Sequence, residues 1–147
     1  MVFKVKRCVA LFGVASALSL LTACTVGPIH PKGDYISSPT VTPSSDMVGT
    51  WLSSYSSSMG DAIYNLIITP SGQYMVCADF YGNATGGSSG KITTYNGKLS
   101  TIQTSGYVSE VSLVGNSLTI KDYLTFTKGD KPTPNCYALF KDRGMIQ

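Results

Sequence analysis

The side chains able to carry covalent chemistry are few in this sequence, and their positions favour structural or binding roles over catalysis. The chain has four cysteines and a single histidine, His30. Because His30 lies in a proline-rich stretch before the first predicted strand, no Ser-His-Asp triad can form inside the folded part. Asp79, Glu110 and Asp122 could pair as general acid and base, but surface carboxylates on strands and turns explain them more simply. We therefore predict no catalytic residue, no cofactor and no metal site.

Cys24 ends an apolar N-terminal run and belongs to the most specific motif of the sequence. The basic residues of MVFKVKR precede about 14 uncharged residues, as in an export signal, whereas a membrane-spanning helix needs roughly 20. Leu21-Thr22-Ala23-Cys24 resembles a bacterial lipobox. The resemblance implies that the Cys24 thiol is joined to diacylglycerol and that residues 1–23 are removed as a signal peptide. An ordinary secretory signal with a chance cysteine is the alternative.

The residue after Cys24 indicates where the lipid would hold the protein. In proteins with a lipobox, aspartate at this position retains the protein at the inner membrane, and here the residue is Thr25. The resemblance therefore favours lipid anchoring at the bacterial outer membrane, on its periplasmic or surface face. Two or more acyl chains on Cys24 would make that anchor stable.

The charge of the chain from Cys24 onward argues against nucleic acid as a partner. This part has eight basic and eight acidic residues, so its side chains are neutral in sum. Binding to nucleic acid rests on clustered lysine and arginine, and the basic residues here are scattered. Serine, threonine, glycine and tyrosine are abundant, which suits strands with uncharged outer faces.

Cys77 and Cys136 are the two thiols that remain if Cys8 leaves with the signal and Cys24 is lipidated. In an oxidising compartment an isolated pair of cysteines usually forms a disulfide. Their spacing does not match the C-x-x-C pattern of a redox pair. We predict a structural disulfide that closes a loop of about 60 residues and contributes roughly 4 kcal/mol in the chain-entropy model.

The chain after the signal divides into a tether and one domain. Residues 24–46 contain four prolines and no lasting hydrophobic period. They predict a flexible tether that, at roughly 3 Å per residue, could reach about 60 Å. Residues 47–147 have the length of a single domain and are predicted to be all-β.

The domain contains seven or eight short strand-like segments and no sustained helical period. The predicted hairpins are residues 62–80 around Pro70-Ser71-Gly72, residues 91–104 around Asn96-Gly97, and residues 106–126 around Gly115-Asn116. Residues 81–90 are glycine-rich and are predicted to form a mobile loop, and CYALF, residues 136–140, a last short strand. The simplest arrangement is an antiparallel up-and-down meander forming a small barrel or a strongly bent sheet, tied by the disulfide. A two-sheet sandwich is the alternative.

Two short motifs suggest binding sites. Ser71, Gly72 and Tyr74 in PSGQY are similar to the Ser-Gly-x-x-Tyr motif of the periplasmic inhibitors of C-type lysozyme, but only Gln73 stands between the glycine and the tyrosine. A one-residue deletion turns the tyrosine to the other strand face, and a plain hairpin turn is the interpretation we favour. Trp51 in GTW resembles the Gly-x-Trp of lipocalin-type barrels, where the tryptophan plugs the closed end, but a core tryptophan in the first strand is the interpretation we favour over a ligand-binding barrel.

The order of the pieces in the domain resembles that of the YedD-like lipoproteins of Gram-negative bacteria. The matching pieces are GTW, LIITPSGQYMVC, GKLSTI, VSLVGNSLTI and DKPTPNC. The resemblance implies a small envelope lipoprotein without catalytic residues, and it supports the Cys77–Cys136 bond. We therefore predict a non-enzymatic lipoprotein that binds a protein partner or assists an envelope machine, with a lysozyme-type hydrolase inhibitor as the alternative.

Overall fold

The computed structural model describes residues 31–147 as an eight-stranded antiparallel barrel with one helix. The strands follow one another in chain order, and β1 pairs with β8 to close the barrel. The elements are β1 Gly49–Ser57, β2 Gly60–Ile68, β3 Gln73–Phe80, β4 Asn83–Tyr95, β5 Lys98–Gln103, β6 Val108–Val114, β7 Ser117–Ile120, β8 Leu124–Gly129 and α1 Pro134–Asp142. The predicted all-β meander is confirmed as a barrel. The predicted signal peptide, Cys24 and His30 lie outside the described residues.

The interior of the barrel is filled by large side chains. Alternate residues of each strand point inward, and eight of them are at most 2% exposed. They are Trp51, Leu66, Ile68, Tyr74, Val76, Ile92, Leu118 and Phe126. Because these side chains pack against one another as in other protein cores, the centre of the barrel is a hydrophobic core. Within residues 31–147, no helix is long and apolar enough to cross a membrane.

A second apolar cluster lies outside the barrel, between α1 and the sheet. Phe140 is fully buried and packs with Ile67 and Met75, which point outward from β2 and β3. Cys77 on β3 and Cys136 on α1 form the predicted disulfide, with their Cα atoms 5.7 Å apart. The bond fastens the helix to the barrel wall, while barrel closure itself is made by the pairing of β1 with β8.

The predicted strand at residues 136–140 is wrong, because this segment is part of α1. Pro134 occupies the first helical position, where its fixed backbone angle is favourable and its missing N–H is not needed. Cys136 and Phe140 are four residues apart and therefore share the face that the helix buries. Upstream of the helix, the fully buried Asn65 accepts a hydrogen bond from the Thr133 amide at 2.8 Å and holds the connector against β2.

Residues 81–90 are not the predicted mobile loop, because most of them belong to β4. A Cβ placed on Gly90 would lie 2.0 Å from the carbonyl oxygen of Ile102, and one on Gly87 would lie 3.1 Å from the β3 backbone. The register between β3 and β4 also shifts in this region, as at a β-bulge. The glycines are present because neighbouring backbones approach closely, and not because the chain is flexible.

Replacing Gly90 with alanine is expected to lower the free energy of unfolding by about 2–3 kcal/mol, because the new methyl group overlaps backbone that cannot move aside. Gly86→Ala is the matched control on the same strand, since its Cβ would make only an ordinary contact, 3.7 Å from Met75. Urea unfolding of the two variants measures the difference. Equal stabilities would contradict the close approach.

The turns follow the sequence prediction with one exception. Asn96 and Gly97 have φ of 50° and 75°, the positive values that a type I′ turn requires. The predicted continuous strand over residues 117–126 is instead broken at Asp122, whose φ is 59°, and the break separates β7 from β8. Aspartate tolerates this left-handed conformation better than most residues.

The segment before β1, residues 31–48, lies along the outside of the barrel. It is fixed by backbone hydrogen bonds from Val108 N to Pro31 O (2.9 Å), Gly33 N to Gly106 O (2.8 Å) and Val41 N to Ile92 O (2.9 Å). Met47, near its end, is 3% exposed and joins the barrel core. The prediction of a flexible tether over residues 24–46 is therefore wrong from residue 31 onward, and residues 24–30 lie outside the described part.

Candidate functional site

The predicted binding residues Ser71, Gly72 and Tyr74 do not form one exposed surface. Ser71 is exposed in the turn between β2 and β3, but Tyr74 is 2% exposed inside the barrel. Gly72 is buried beneath the N-terminal segment, where an added Cβ would lie 2.5 Å from the carbonyl oxygen of Val41. The one-residue deletion noted in the sequence thus has the expected result, a tyrosine on the inner strand face.

Burial changes the acidity of Tyr74. Loss of water raises the pKa of its hydroxyl to about 12, although hydrogen bonds with Thr101 and Ser88 act in the opposite direction. In the unfolded chain the same hydroxyl has a pKa near 10. The folded state therefore holds this proton more tightly than the unfolded state.

The stability that comes from this shift should disappear in alkaline solution. It is complete below pH 10.0 and is lost as the pH rises to about 12, a loss of about 2 kcal/mol. Urea unfolding of the wild type and Tyr74→Phe at about pH 8 and pH 11.5 measures this loss, and the variant should lose less stability than the wild type between the two conditions. Equal losses in the two proteins would contradict a raised Tyr74 pKa.

Exposed aromatic and apolar side chains gather at one end of the barrel. Because consecutive strands alternate in direction, the turns β1–β2, β3–β4, β5–β6 and β7–β8 all lie at this end. Tyr55, Met59, Phe80, Tyr81 and Tyr123 project there with 51%, 91%, 40%, 75% and 44% of their surface exposed. We call these five residues the aromatic rim.

Contacts between neighbouring strands and turns hold the aromatic rim in place. The Tyr81 hydroxyl donates a hydrogen bond to the Met59 carbonyl at 3.4 Å and joins the tips of two hairpins. The ring of Phe80 meets that of Tyr64 edge to face, with centroids 6.2 Å apart, and Tyr64 packs against the core below. Partial burial raises the pKa of Tyr123. The rim therefore presents ring faces and hydroxyl groups on a positioned surface.

The opposite end of the barrel is closed around Trp51. The indole N–H donates a hydrogen bond to the Met47 carbonyl at 2.8 Å. The ammonium group of Lys128 lies 4.4 Å from the Trp51 ring centroid and donates to the carbonyls of Asp46 (2.8 Å) and Val48 (2.6 Å). Desolvation lowers the pKa of Lys128. Trp51 is thus a core residue that plugs this end, and it fastens the N-terminal segment to the barrel.

Two of the three candidate acids are held by other side chains. Glu110 is bonded to Lys98 and lies 3.5 Å from the Lys121 ammonium, and the hydrogen bond with Lys98 is the main cause of its lowered pKa. Asp79 accepts a hydrogen bond from Asn135 on α1 at 3.5 Å. In the part of the chain that the structure describes, no group of three or more potential ligands could hold a metal ion.

A protein-family comparison agrees with this architecture. The family described as "Bacterial lipocalin LPS transport optimiser YedD" matches residues 33–140, which include the whole barrel and most of α1. The chain belongs to the YedD family. The resemblance inferred from the sequence is therefore confirmed, and with it the assignment as a bacterial envelope lipoprotein.

A solved structure shows the same fold. The chain is similar to the lipoprotein YedD from Klebsiella pneumoniae subsp. pneumoniae MGH 78578, with 20% sequence identity and a TM-score of 0.63. The alignment covers 76% of this chain and 95% of the Klebsiella chain. At this identity the likeness concerns the fold alone. No curated protein matches the chain.

Sequence reasoning missed the aromatic rim as a surface. The sequence showed that tyrosine is abundant, but not that aromatic residues from several strands and turns meet at one end of the barrel. The overlooked signal lies in two turns, where Met59 in SSMGD and Tyr81 in DFYGN occupy positions that usually carry small or polar residues. Large apolar side chains in such turns, gathered at one place, indicate an interaction surface.

Proposed function

We propose that this chain is a non-enzymatic accessory of lipopolysaccharide transport, anchored through lipid on Cys24 at the outer membrane. It acts by binding a protein partner in that machinery. The observation that carries the proposal is the filled barrel, in which Trp51, Tyr74 and Phe126 occupy the interior. A barrel packed in this way works through its outer surface as a rigid binding module, and the description of the YedD family suggests the pathway.

The lysozyme-inhibitor alternative has less support. Its proposed tyrosine, Tyr74, is inside the barrel, and Gly72 is covered by the N-terminal segment. We expect the purified protein to leave C-type lysozyme activity unchanged at micromolar concentrations. Inhibition in that range would reinstate the alternative.

The anchor is tested by metabolic labelling with palmitate in cells that produce the wild type or Cys24→Ser. We expect label in the wild type and none in the variant, because the thioether can form only on the Cys24 sulfur. Membrane fractionation should place the labelled protein in the outer membrane. Label that persists in Cys24→Ser would contradict the anchor.

The partner is tested by crosslinking in intact envelopes, with Cys24→Ser as the control. We expect the wild type to capture a component of lipopolysaccharide transport, and the unanchored variant to capture much less of it. A strain that lacks the protein should deliver lipopolysaccharide to the cell surface more slowly. Capture of nothing beyond abundant porins, together with unchanged delivery, would refute the proposed function.

A further inference from the structure

We propose that the exposed first part of β4, residues 83–87, binds an extended segment of the protein partner, which adds a strand to the sheet at that place. We call these five residues the β4 edge. The inference rests on the proposed function, because it names the surface and the binding mode that would hold that partner. The partner segment is uncharged and carries apolar side chains at alternate positions.

The first observation is that β4 extends beyond its neighbour β5 at the rim end. It pairs with β3 from Asn83 onward, whereas its pairing with β5 begins only at Gly90. The last backbone contact on the β5 side is the hydrogen bond from the Thr104 amide to the Ser89 carbonyl, at 3.0 Å. Among the described residues, no strand pairs with the β4 edge on that side. All five of its residues are exposed, so α1, which packs on the outer face, does not cover them.

The second observation is the direction of the backbone groups in the β4 edge. Tyr81-Gly82 is a two-residue turn in which both φ values are positive, 49° and 79°, and such a turn makes Asn83 a hydrogen-bonded partner of β3. Hydrogen-bonded and non-hydrogen-bonded pairs alternate along an antiparallel ladder. Thr85 is therefore bonded to β3 like Asn83, whereas Ala84 and Gly86 direct their N–H and C=O groups away from β3. These two donors and two acceptors have the spacing that a further strand binds.

The third observation is that the β4 edge lacks the charged residues and prolines that usually protect an exposed edge. It reads Asn-Ala-Thr-Gly-Gly. Gly86 does not adopt a positive φ, and a Cβ there would make only ordinary contacts, 3.7 Å from Met75 and 3.9 Å from Leu139. The fold itself therefore does not require glycine at this position. Its missing side chain lets a second backbone approach and leaves Leu139 on α1 within reach of an apolar side chain of the added strand.

The N-terminal segment shows this mode of binding within the molecule. Beyond the end of β3, the Val41 amide donates to the Ile92 carbonyl of β4, and beyond the end of β7, the Pro31 carbonyl accepts from the Val108 amide of β6. The segment thus supplies backbone partners at two places where the neighbour of a strand ends. No described residue does the same for the β4 edge, so this place is left for a strand from another protein.

Amide hydrogen exchange, followed by nuclear magnetic resonance on the full lipoprotein in detergent micelles, tests whether the edge is free. We expect the amides of Ala84 and Gly86 to exchange at least about tenfold faster than those of Asn83 and Thr85, because only the latter are bonded to β3. Equal rates at the four positions would overturn the free edge. Slow exchange at all of them, together with a dimer in sedimentation, would assign the edge to a second copy of the chain and also overturn the proposal.

Crosslinking in intact envelopes tests whether the partner uses the edge. Ala84→Pro removes one outward N–H, a change that edge strands tolerate, and Ala84→Ser is the matched control because it keeps the N–H. We expect Ala84→Pro to capture about tenfold less of the partner that mass spectrometry identifies with the wild type, and Ala84→Ser to capture as much as the wild type. Urea unfolding of both variants verifies that the barrel is folded.

The outcomes separate this inference from the proposed function. Capture by Ala84→Pro that equals capture by the wild type overturns strand addition and leaves the proposed function intact. A wild type that captures no partner refutes the proposed function, and this inference with it. If Ala84→Pro did not fold, the exchange rates of Ala84 and Gly86 in the captured complex would decide, since strand addition should slow both by at least about tenfold and unchanged rates would overturn it.

Discussion

Replacing Cys77 and Cys136 together with alanine is expected to lower the free energy of unfolding by about 4 kcal/mol. The disulfide joins residues 59 positions apart, so it removes much of the conformational freedom of the unfolded chain. It is also the covalent link between α1 and the barrel, and both cysteines are fully buried. For a domain of this size the loss corresponds to a fall in Tm of about 15–25 °C.

Thermal unfolding with and without dithiothreitol provides the measurement and its control. Reduction should destabilise the wild type by a similar amount and leave the double alanine variant unchanged, since the described residues contain no other cysteine. If reduction did not change the wild-type Tm, the bond would not contribute to stability. An unchanged double variant would lead to the same conclusion.

The parts of the fold that the sequence predicted are those in which side-chain pattern and turn chemistry agree. The hairpin of β2 and β3 combines continuous apolar runs with Pro70-Ser71-Gly72, and β3 matches its predicted range, residues 73–80. Asn96-Gly97 predicted the type I′ turn between β4 and β5, because that turn needs two consecutive residues with positive φ and these two residue types adopt positive φ readily. The disulfide followed from the two thiols that remain outside the signal and its lipobox, together with the oxidising compartment that the lipobox implies.

Three parts of the fold were not predicted: the first half of β4, the segment over residues 31–48, and α1. Each depends on contacts that leave no characteristic pattern of side chains in the sequence. The first half of β4 contains glycine where backbones crowd together, and glycine is also typical of loops. The segment over residues 31–48 is fixed largely through backbone hydrogen bonds, which any sequence can make. In α1, the apolar stretch CYALF looked like a strand because only Cys136 and Phe140 of this short helix are buried.

The candidate surface was beyond sequence reasoning for a related reason. Tyr55, Phe80 and Tyr123 lie far apart in the chain, and only barrel closure brings their ends together. The binding of residues 31–48 to the barrel wall likewise became visible only in the structure, because it rests on backbone hydrogen bonds.

Trp51→Ala is expected to lower the free energy of unfolding by about 4 kcal/mol, in the range typical of large-to-small changes in a core. The side chain is 1% exposed, and its loss would leave a cavity at the closed end of the barrel. The Met47 carbonyl would lose its indole partner and Lys128 the ring beneath its ammonium group. Urea unfolding followed by circular dichroism measures the change, because the variant has no tryptophan left to report by fluorescence.

Tyr55→Ala is the matched control, because Tyr55 lies on the same strand and the same face as Trp51 but at the rim, where 51% of its surface is exposed. It should lose about 1 kcal/mol or less. A similar loss in both variants would mean that the two ends of the barrel are packed alike, contrary to a closed Trp51 end and an exposed rim. Because Trp51 also holds Met47, its replacement should loosen residues 31–48 from the wall.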